Sequence, residues 1–249
     1  MIFWTKLFFV ILWTIFVSIV GTFRALFHWG NKKNFSPAVH LLADGVLKIT
    51  GIKFQCEGME HLGVHEPTVY LGNHQSFFDV IAFGYIVPPN TVPIGKKEIG
   101  SMPFVGWFFR GNGAILIDRK NRKSAFSELD KAVEVMKNEK ISIGVLPEGT
   151  RNLFAGGLLP FKKGAFHMAI RAQAPIVPIV VSQFKHLISW ETKTFKSGTI
   201  LLKVLPPIST VGLTLNEVDS LMENVRNQMV STFQELNRRA GIDWEEKSP

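Results

Sequence analysis

The chain has 249 residues and a mass of 28.0 kDa, with 46% apolar and only 19% charged residues. One full α/β domain with a large core is therefore within reach, and disorder over most of the chain is excluded. Lysine and arginine number 28 against 20 acids, giving a net charge of +8 and a pI near 9.6, which favours anionic partners: phosphate-bearing ligands, an acidic membrane surface or nucleic acid. Cys56 is the single cysteine, so an intrachain disulfide and a cysteine-built zinc site are both ruled out.

In chain order, the first element is hydrophobic. No residue between Lys6 and Arg24 is charged, and counting on to Trp29 gives about 20 predominantly apolar residues, what a helix needs to cross a bilayer. Trp4, Trp13 and Trp29 suit the interfacial zone. A cleaved signal peptide is the competing reading. Against it, a single lysine precedes the run, no A-x-A-like site follows, and Arg24, Lys32 and Lys33 come next, so a retained anchor is expected. A second, amphipathic helix is expected over Ala38–Thr50, with Val39, Leu42, Val46 and Ile49 on one face and His40, Asp44 and Lys48 on the other. That face can pack on the domain or lie in the headgroup layer.

The remainder alternates. Short apolar runs bounded by Gly, Pro or Asn predict strands at Ile52–Glu57, Thr68–Leu71, Thr91–Ile94, Ala114–Ile117, Ile141–Leu146, Ile176–Val181 and Thr199–Val204. Helical patterns occupy Ser124–Asn138, Gly164–Gln173 and Leu215–Arg239, the last opened by a T-x-x-E box at Thr214–Glu217. Alternation of this kind predicts an α/β fold with a mixed, largely parallel sheet flanked by helices. The expected organisation is residues 1–50 as N-terminal membrane-associating helices and residues 51–249 as a catalytic domain.

Chemistry concentrates after three of the strands. Asn73-His74 precedes Asp79 by a turn and a half; a carboxylate beside a histidine fixes its tautomer and stabilises the imidazolium, making it a general base. The geometry works best with His74 in the turn before a helix and Asp79 one turn inside, where the helix's positive end favours its ionised form. The spacing alone is weak: about one chain in six of this composition carries it by chance. Companions strengthen it. Arg119 ends the Gly113–Arg119 block, and Pro147-Glu148-Gly149-Thr150-Arg151 sets a carboxylate, a permissive glycine, a hydroxyl and a guanidinium in one turn, groups that bind phosphate well. His74, Arg119 and Arg151 all follow strands, where ligands of open α/β sheets gather. Ser76 reads as a helix-start residue rather than a nucleophile. No H-E-x-x-H, Walker loop or dinucleotide fingerprint is present, so metal, nucleotide and NAD chemistry lack support.

Taken together, Asn73-His74-x-x-x-x-Asp79, Gly113–Arg119, Pro147–Arg151 and Val177-Pro178-Ile179-Val180 resemble, in order and spacing, the four motifs of the glycerolipid acyltransferase family, and most closely those of its 1-acylglycerol-3-phosphate acyltransferases. Lys96-Lys97-Glu98, Met102–Trp107, Phe161–Phe166 and Phe195–Thr199 look like that branch in particular. The resemblance implies His74 as general base and Asp79 as its orienter. It implies Lys96, Arg119, Glu148, Gly149, Thr150 and Arg151 around the glycerophosphate acceptor, with no metal and no bound cofactor. The implied reaction moves an acyl group from a thioester, acyl-CoA or acyl carrier protein, to the sn-2 hydroxyl of lysophosphatidic acid, at the cytoplasmic surface of a membrane whose phospholipids are partners. Nucleic acid is not an expected partner. The alternatives are glycerol-3-phosphate acylation, lysophospholipid remodelling, a lysophospholipase or esterase, and a non-catalytic protein that binds anionic lipid.

Overall fold

The computed structural model describes residues 2–118, 122–152 and 157–242, with the backbone alone for 122–126. Two helices, α1 (Ile2–Leu26) and α2 (Phe35–Thr50), precede strand β1 (Ile52–Glu57). Then follow β2 (Val69–Gly72), α3 (Asp79–Ile86), β3 (Thr91–Lys96), α4 (Val105–Gly111), β4 (Ile115–Ile117), α5 (Arg122–Glu139) and β5 (Ser142–Val145). The chain continues through α6 (Gly164–Ala172), β6 (Ile176–Val181), a hairpin of β7 (Ile188–Ser189) and β8 (Thr194–Phe195), β9 (Gly198–Val204) and α7 (Val218–Arg239).

Seven strands form one sheet in the order β1-β9-β6-β2-β5-β3-β4. The five from β6 to β4 are parallel, β9 runs antiparallel to β6, and β1 is parallel to β9. The expected mixed, largely parallel sheet is thus present, and each of the seven expected strands lies in it. The ends of β1 and β6 fall where expected and the others shift by at most two residues: β3 runs on to Lys96, while β5 is confined to Ser142–Val145. The β7–β8 hairpin and α4 were not foreseen. Strands of two residues carry no period, and the Val-Gly-Trp-Phe-Phe-Arg-Gly sequence of α4 is apolar on every side, so it shows no helical stripe.

Alternation along each strand assigns its residues to two cores. Val69 and Leu71 of β2 join Met136 of α5, Phe166 of α6, and Val225, Met229 and Phe233 of α7. Tyr70, between them, faces the opposite way onto Val46 of α2 and Ile81 of α3, together with Val177, Ile179, Ile200 and Leu202. The amphipathic face of α2 therefore packs on the domain. Phe35 and Val39 enter the first core, and Ala43 and Val46 enter the second.

The first helix is docked along its length rather than projecting. Phe3, Val10, Val17, Gly21 and Ala25 form a buried stripe against α2, α4 and β8. Its other face leaves Phe8, Phe9, Leu12, Phe16, Ile19, Val20 and Phe23 exposed. The α1–α2 contact depends on one glycine. A Cβ at Gly45 would lie 2.0 Å from Trp13 Nε1, so only glycine admits the indole, whose N–H reaches the carbonyls of Leu41 and Leu42 at 3.2 and 3.3 Å. Gly45→Val is expected to destabilise the fold by about 1–3 kcal/mol, the usual cost of overpacking. Denaturant unfolding in detergent should show it, and Trp13→Ala in the same chain should recover part of the loss.

Candidate active site

The parallel strands end on one edge of the sheet, and the expected site residues follow them there. The first residue after β2 is held by its side chain. Asn73, buried, accepts the Val181 N–H on Oδ1 at 2.8 Å and donates from Nδ2 to the Val181 carbonyl at 3.0 Å. An amide side chain thus prolongs the β2–β6 ladder by one rung and fixes where the next residue starts.

That residue is His74, whose main chain is gripped from both sides. Its N–H donates to Glu148 Oε1 at 2.7 Å, and its carbonyl accepts the Asn152 N–H at 2.8 Å. The ring is held by Asp79, with Nδ1 2.7 Å from Oδ2. The same oxygen accepts the N–H groups of Gln75 and Ser76 at 2.6 and 2.8 Å. Asp79 opens α3 instead of lying one turn inside it. The bend through Ser76–Phe78, in which Ser76 Oγ accepts the Phe78 N–H at 2.9 Å, curls the preceding main chain back over the carboxylate. Gln75 closes the bend by donating to the carbonyls of Val181 and Ser182.

Glu148 spends both oxygens on backbone. Oε1 takes the His74 N–H and Oε2 the Leu159 N–H at 2.9 Å, so it ties the β2 loop to the segment before α6. That segment is held in turn from α7, where Arg226 Nη2 donates to the Leu158 carbonyl at 3.0 Å. The turn after β5 needs a left-handed residue at Gly149 (φ 70°), over which the Lys162 side chain lies so closely that a Cβ would come within 2.9 Å of it. Thr150 and Arg151 are both exposed beside it. Lys96 stands at the end of β3, two strands and about 10 Å from β2, and pairs with Glu98 at 2.9 Å. Arg119 lies outside the described residues.

Hydrogen bonds therefore join His74, Asp79 and Glu148 directly, Gly149, Thr150 and Arg151 share the adjoining turn, and Lys96 stands apart. The sequence reading gave no role to Asn73, Gln75, Asn152 or Arg226. Asn73 leaves a trace as the first residue of the Asn73-His74 motif, and Arg226 as a charge interrupting the apolar stripe of Met222, Met229 and Phe233 on α7.

Electrostatically the site is a pair of buried carboxylates. Asp79 is 3% and Glu148 2% exposed. Burial pushes the Asp79 carboxyl above the ordinary aspartate range, against the pull of the His74 contact and the Ser76 and Gln75 N–H groups. Desolvation here outweighs the helix end that was expected to favour the charged form. Burial likewise raises the Glu148 carboxyl from 4.5 to about 7, opposed by the N–H groups of His74 and Leu159. Cys56, half-buried on β1, has a thiol raised by burial and is no activated nucleophile. His74 retains 19% side-chain exposure, and with Nδ1 engaged its Nε2 is the nitrogen left for a ligand.

The Glu148 shift has a defined sign. Between 4.5 and about 7 the folded chain holds a proton that the unfolded chain has released, so this contribution to stability is complete below 4.5 and lost as pH rises to about 7. The unfolding free energy of wild type minus that of Glu148→Gln should fall by about 3 kcal/mol across that window, on top of a constant offset from the amide. Denaturant titrations of both proteins at several pH values measure it, and a difference independent of pH would contradict the assignment.

Comparison with known proteins supplies the lineage. Residues 53–182 match the Acyltransferase family model. The human 1-acyl-sn-glycerol-3-phosphate acyltransferase alpha is 34% identical over 240 residues, 94% of this chain and 83% of that protein. The Escherichia coli 1-acyl-sn-glycerol-3-phosphate acyltransferase is 33% identical over 233 residues, 94% of each. The crystal structure of the 1-acyl-sn-glycerophosphate (LPA) acyltransferase from Thermotoga maritima superposes with a TM-score of 0.77 at 23% identity, covering 98% of this chain and 97% of that one, and so shares the fold. With more than half of the chain inside the family model and relatives aligned along nearly all of it, this protein belongs to the acyltransferase family, among relatives that are 1-acyl-sn-glycerol-3-phosphate acyltransferases.

Proposed function

We propose that this enzyme transfers a fatty acyl group from a thioester, acyl-CoA or acyl carrier protein, to the sn-2 hydroxyl of lysophosphatidic acid, forming phosphatidic acid, with His74 as general base. The observation that carries the reading is the His74 Nδ1–Asp79 Oδ2 contact of 2.7 Å at the ligand-gathering edge of the sheet. The relatives aligned along nearly the whole chain are named for the same acceptor.

The chemistry follows from the geometry. With its proton on Nδ1 and directed at Asp79, the ring presents a lone pair on Nε2. Nε2 takes the acceptor's hydroxyl proton as that oxygen attacks the thioester carbonyl, and the carboxylate stabilises the imidazolium that forms. Collapse of the tetrahedral intermediate breaks the C–S bond, and the proton passes from Nε2 to the departing thiolate. Among the described residues, the side chain of His74 bonds only to Asp79, and Ser76 Oγ is engaged by the Phe78 N–H. Both observations favour direct transfer between bound substrates over an acyl-enzyme. Arg151, exposed together with its neighbour Thr150, is the described cation best placed to meet the acceptor's phosphate. Arg119 keeps the acceptor role implied by the resemblance. Lys96 serves as a more distant positive charge, and Glu148 acts by positioning His74.

Kinetics in detergent test this. His74→Ala should lower kcat by about 10²–10⁴-fold, the range of general-base catalysis, and Asp79→Asn should be nearly as severe because an amide favours the wrong tautomer. Arg151→Ala should raise KM for lysophosphatidic acid about 10- to 150-fold, the value of a charge-assisted hydrogen bond, with little effect on KM for the thioester. Full activity of His74→Ala, or a transferable acyl adduct after incubation with thioester alone, would overturn the mechanism.

The enzyme works at a membrane on this reading. Its support is the long apolar helix, Ile2–Leu26, of which only 22% of the most hydrophobic window is buried. Because α1 is docked lengthwise, its exposed face and the catalytic domain meet the same leaflet, as an interfacial helix does. Phe77, exposed in the bend beside His74, and Trp107 on α4 add apolar groups. Fractionation should recover the protein with membranes, and recovery wholly in the soluble fraction would refute this placement.

A further inference from the structure

Away from the catalytic loops, the N-terminal end of α1 meets the end of α2, the β7–β8 hairpin and the start of β9. A cleft of about 390 Å³ opens at this junction. Its polar lining consists of Lys6, Lys193, Lys196, Thr194 and Ser197, and no lining residue is acidic. Phe3 and Phe195, with ring centroids 5.9 Å apart, form an apolar wall. The cleft is a built junction rather than a chance gap. Lys6 Nζ donates to the Thr50 carbonyl at 2.6 Å, Ser197 Oγ reaches the same oxygen at 3.3 Å, and the Lys196 N–H bonds the Leu187 carbonyl at 2.8 Å. Lys193 Nζ sits 6.0 and 5.6 Å from the Phe3 and Trp4 rings, an arrangement that holds its charge at the cleft by cation–π attraction. The nearby Glu191 is paired with Lys185 at 3.0 Å.

We propose that this cleft binds the phosphate of an anionic phospholipid headgroup, as a site distinct from the catalytic one. Three of its polar lining residues, Lys6, Lys193 and Lys196, carry positive charge and none is negative, which matches a phosphate. The lipid, rather than a free phosphate, is indicated by what adjoins it. Trp4 and Trp190 are 58% and 55% exposed at its rim, as rings at a membrane interface are. The apolar face of α1 continues from it through Phe8, Phe9 and Leu12, alongside which acyl chains can lie. β9 stands two places from β2 across β6, about 10 Å, and none of the lining residues belongs to the catalytic loops. The proposal rests on the membrane placement argued above, and it gives α1 a charged anchor that fixes how the helix is seated on the leaflet.

The test titrates the detergent-solubilised full-length protein with phosphatidylglycerol and counts bound lipid by native mass spectrometry. Parallel titrations use phosphatidylcholine and inorganic phosphate. One lysine beside an anionic headgroup is worth about fivefold in affinity, so the double variant Lys193→Gln/Lys196→Gln should hold phosphatidylglycerol about 25-fold more weakly than wild type. A charge-matched control, Lys137→Gln in the last turn of α5 with Lys140→Gln just beyond it, should bind as wild type does. Equal losses in both double variants, no loss in either, equal uptake of phosphatidylcholine, or inorganic phosphate binding as tightly as the lipid would each overturn the proposal. Turnover of lysophosphatidic acid in detergent should be the same in wild type and Lys193→Gln/Lys196→Gln, which separates this site from the catalytic reading. A failure of the membrane placement would show independently, as wild-type protein in the soluble fraction.

Discussion

Two buried carboxylates that find N–H groups rather than cations as partners govern the geometry of this enzyme. Asp79 receives the ring of His74 together with two main-chain N–H groups, and Glu148 receives the main chain of His74 and of Leu159. A carboxylate taken out of water is costly unless such donors compensate it, and the raised Glu148 and Asp79 carboxyls register the remaining cost. The return on that cost is placement. One carboxylate sets the orientation of the imidazole and the other the position of its Cα, so the ring has little freedom left. Asn73, locked to Val181 on the neighbouring strand, removes the remaining play at the point where the loop leaves the sheet.

This arrangement extends beyond the two loops that carry it. Leu159 presents its N–H to Glu148 because Arg226 holds the adjacent carbonyl from α7. The C-terminal helix, more than 140 residues from His74 in sequence, is thus linked to it through consecutive hydrogen bonds and one peptide unit. Catalytic loops mounted on strand ends are usually more mobile than the sheet beneath them. Here the loops after β2 and β5 are cross-tied to each other and to a helix, which suits the general-base role proposed for His74.

The N-terminal helices belong to the same construction. Because α1 lies along α2 and α4, and α2 enters both cores, the exposed apolar face of α1 is rigidly related to the sheet edge that carries His74. A lipid acceptor whose acyl chain stays among its neighbours has only its head to move. On the membrane placement proposed above, an enzyme docked on the leaflet by an apolar helix face needs to reach no further than that depth. A phosphate-binding cleft at one end of α1 would add a fixed polar contact to an otherwise non-directional apolar one.

Much of this was legible in the residues. Apolar runs bounded by glycine and proline marked each strand of the main sheet, because a strand buried on both faces leaves a continuous apolar signal. The Thr214–Glu217 box marked the approach to α7, where the Thr214 N–H does meet the Glu217 carboxylate at 2.6 Å. His74 and Asp79 could be singled out because their pairing is local, five positions apart across one bend. What the sequence could not decide was whatever depends on strand order. Glu148 reads as a ligand-binding group in a phosphate-like turn, yet β5 lies beside β2, and that adjacency turns its carboxylate toward the His74 main chain. Whether α1 projects from the domain or lies on it is invisible in a run of apolar residues, since lipid and protein core select the same side chains. The stripe of Phe3, Val10, Val17, Gly21 and Ala25 became a docking face only once α2 and α4 were in place to receive it. Composition and spacing determined the elements and the His74–Asp79 pair, while the tertiary structure decided which polar groups face one another, because hydrogen-bond partners distant in sequence are set by topology and leave no period to read.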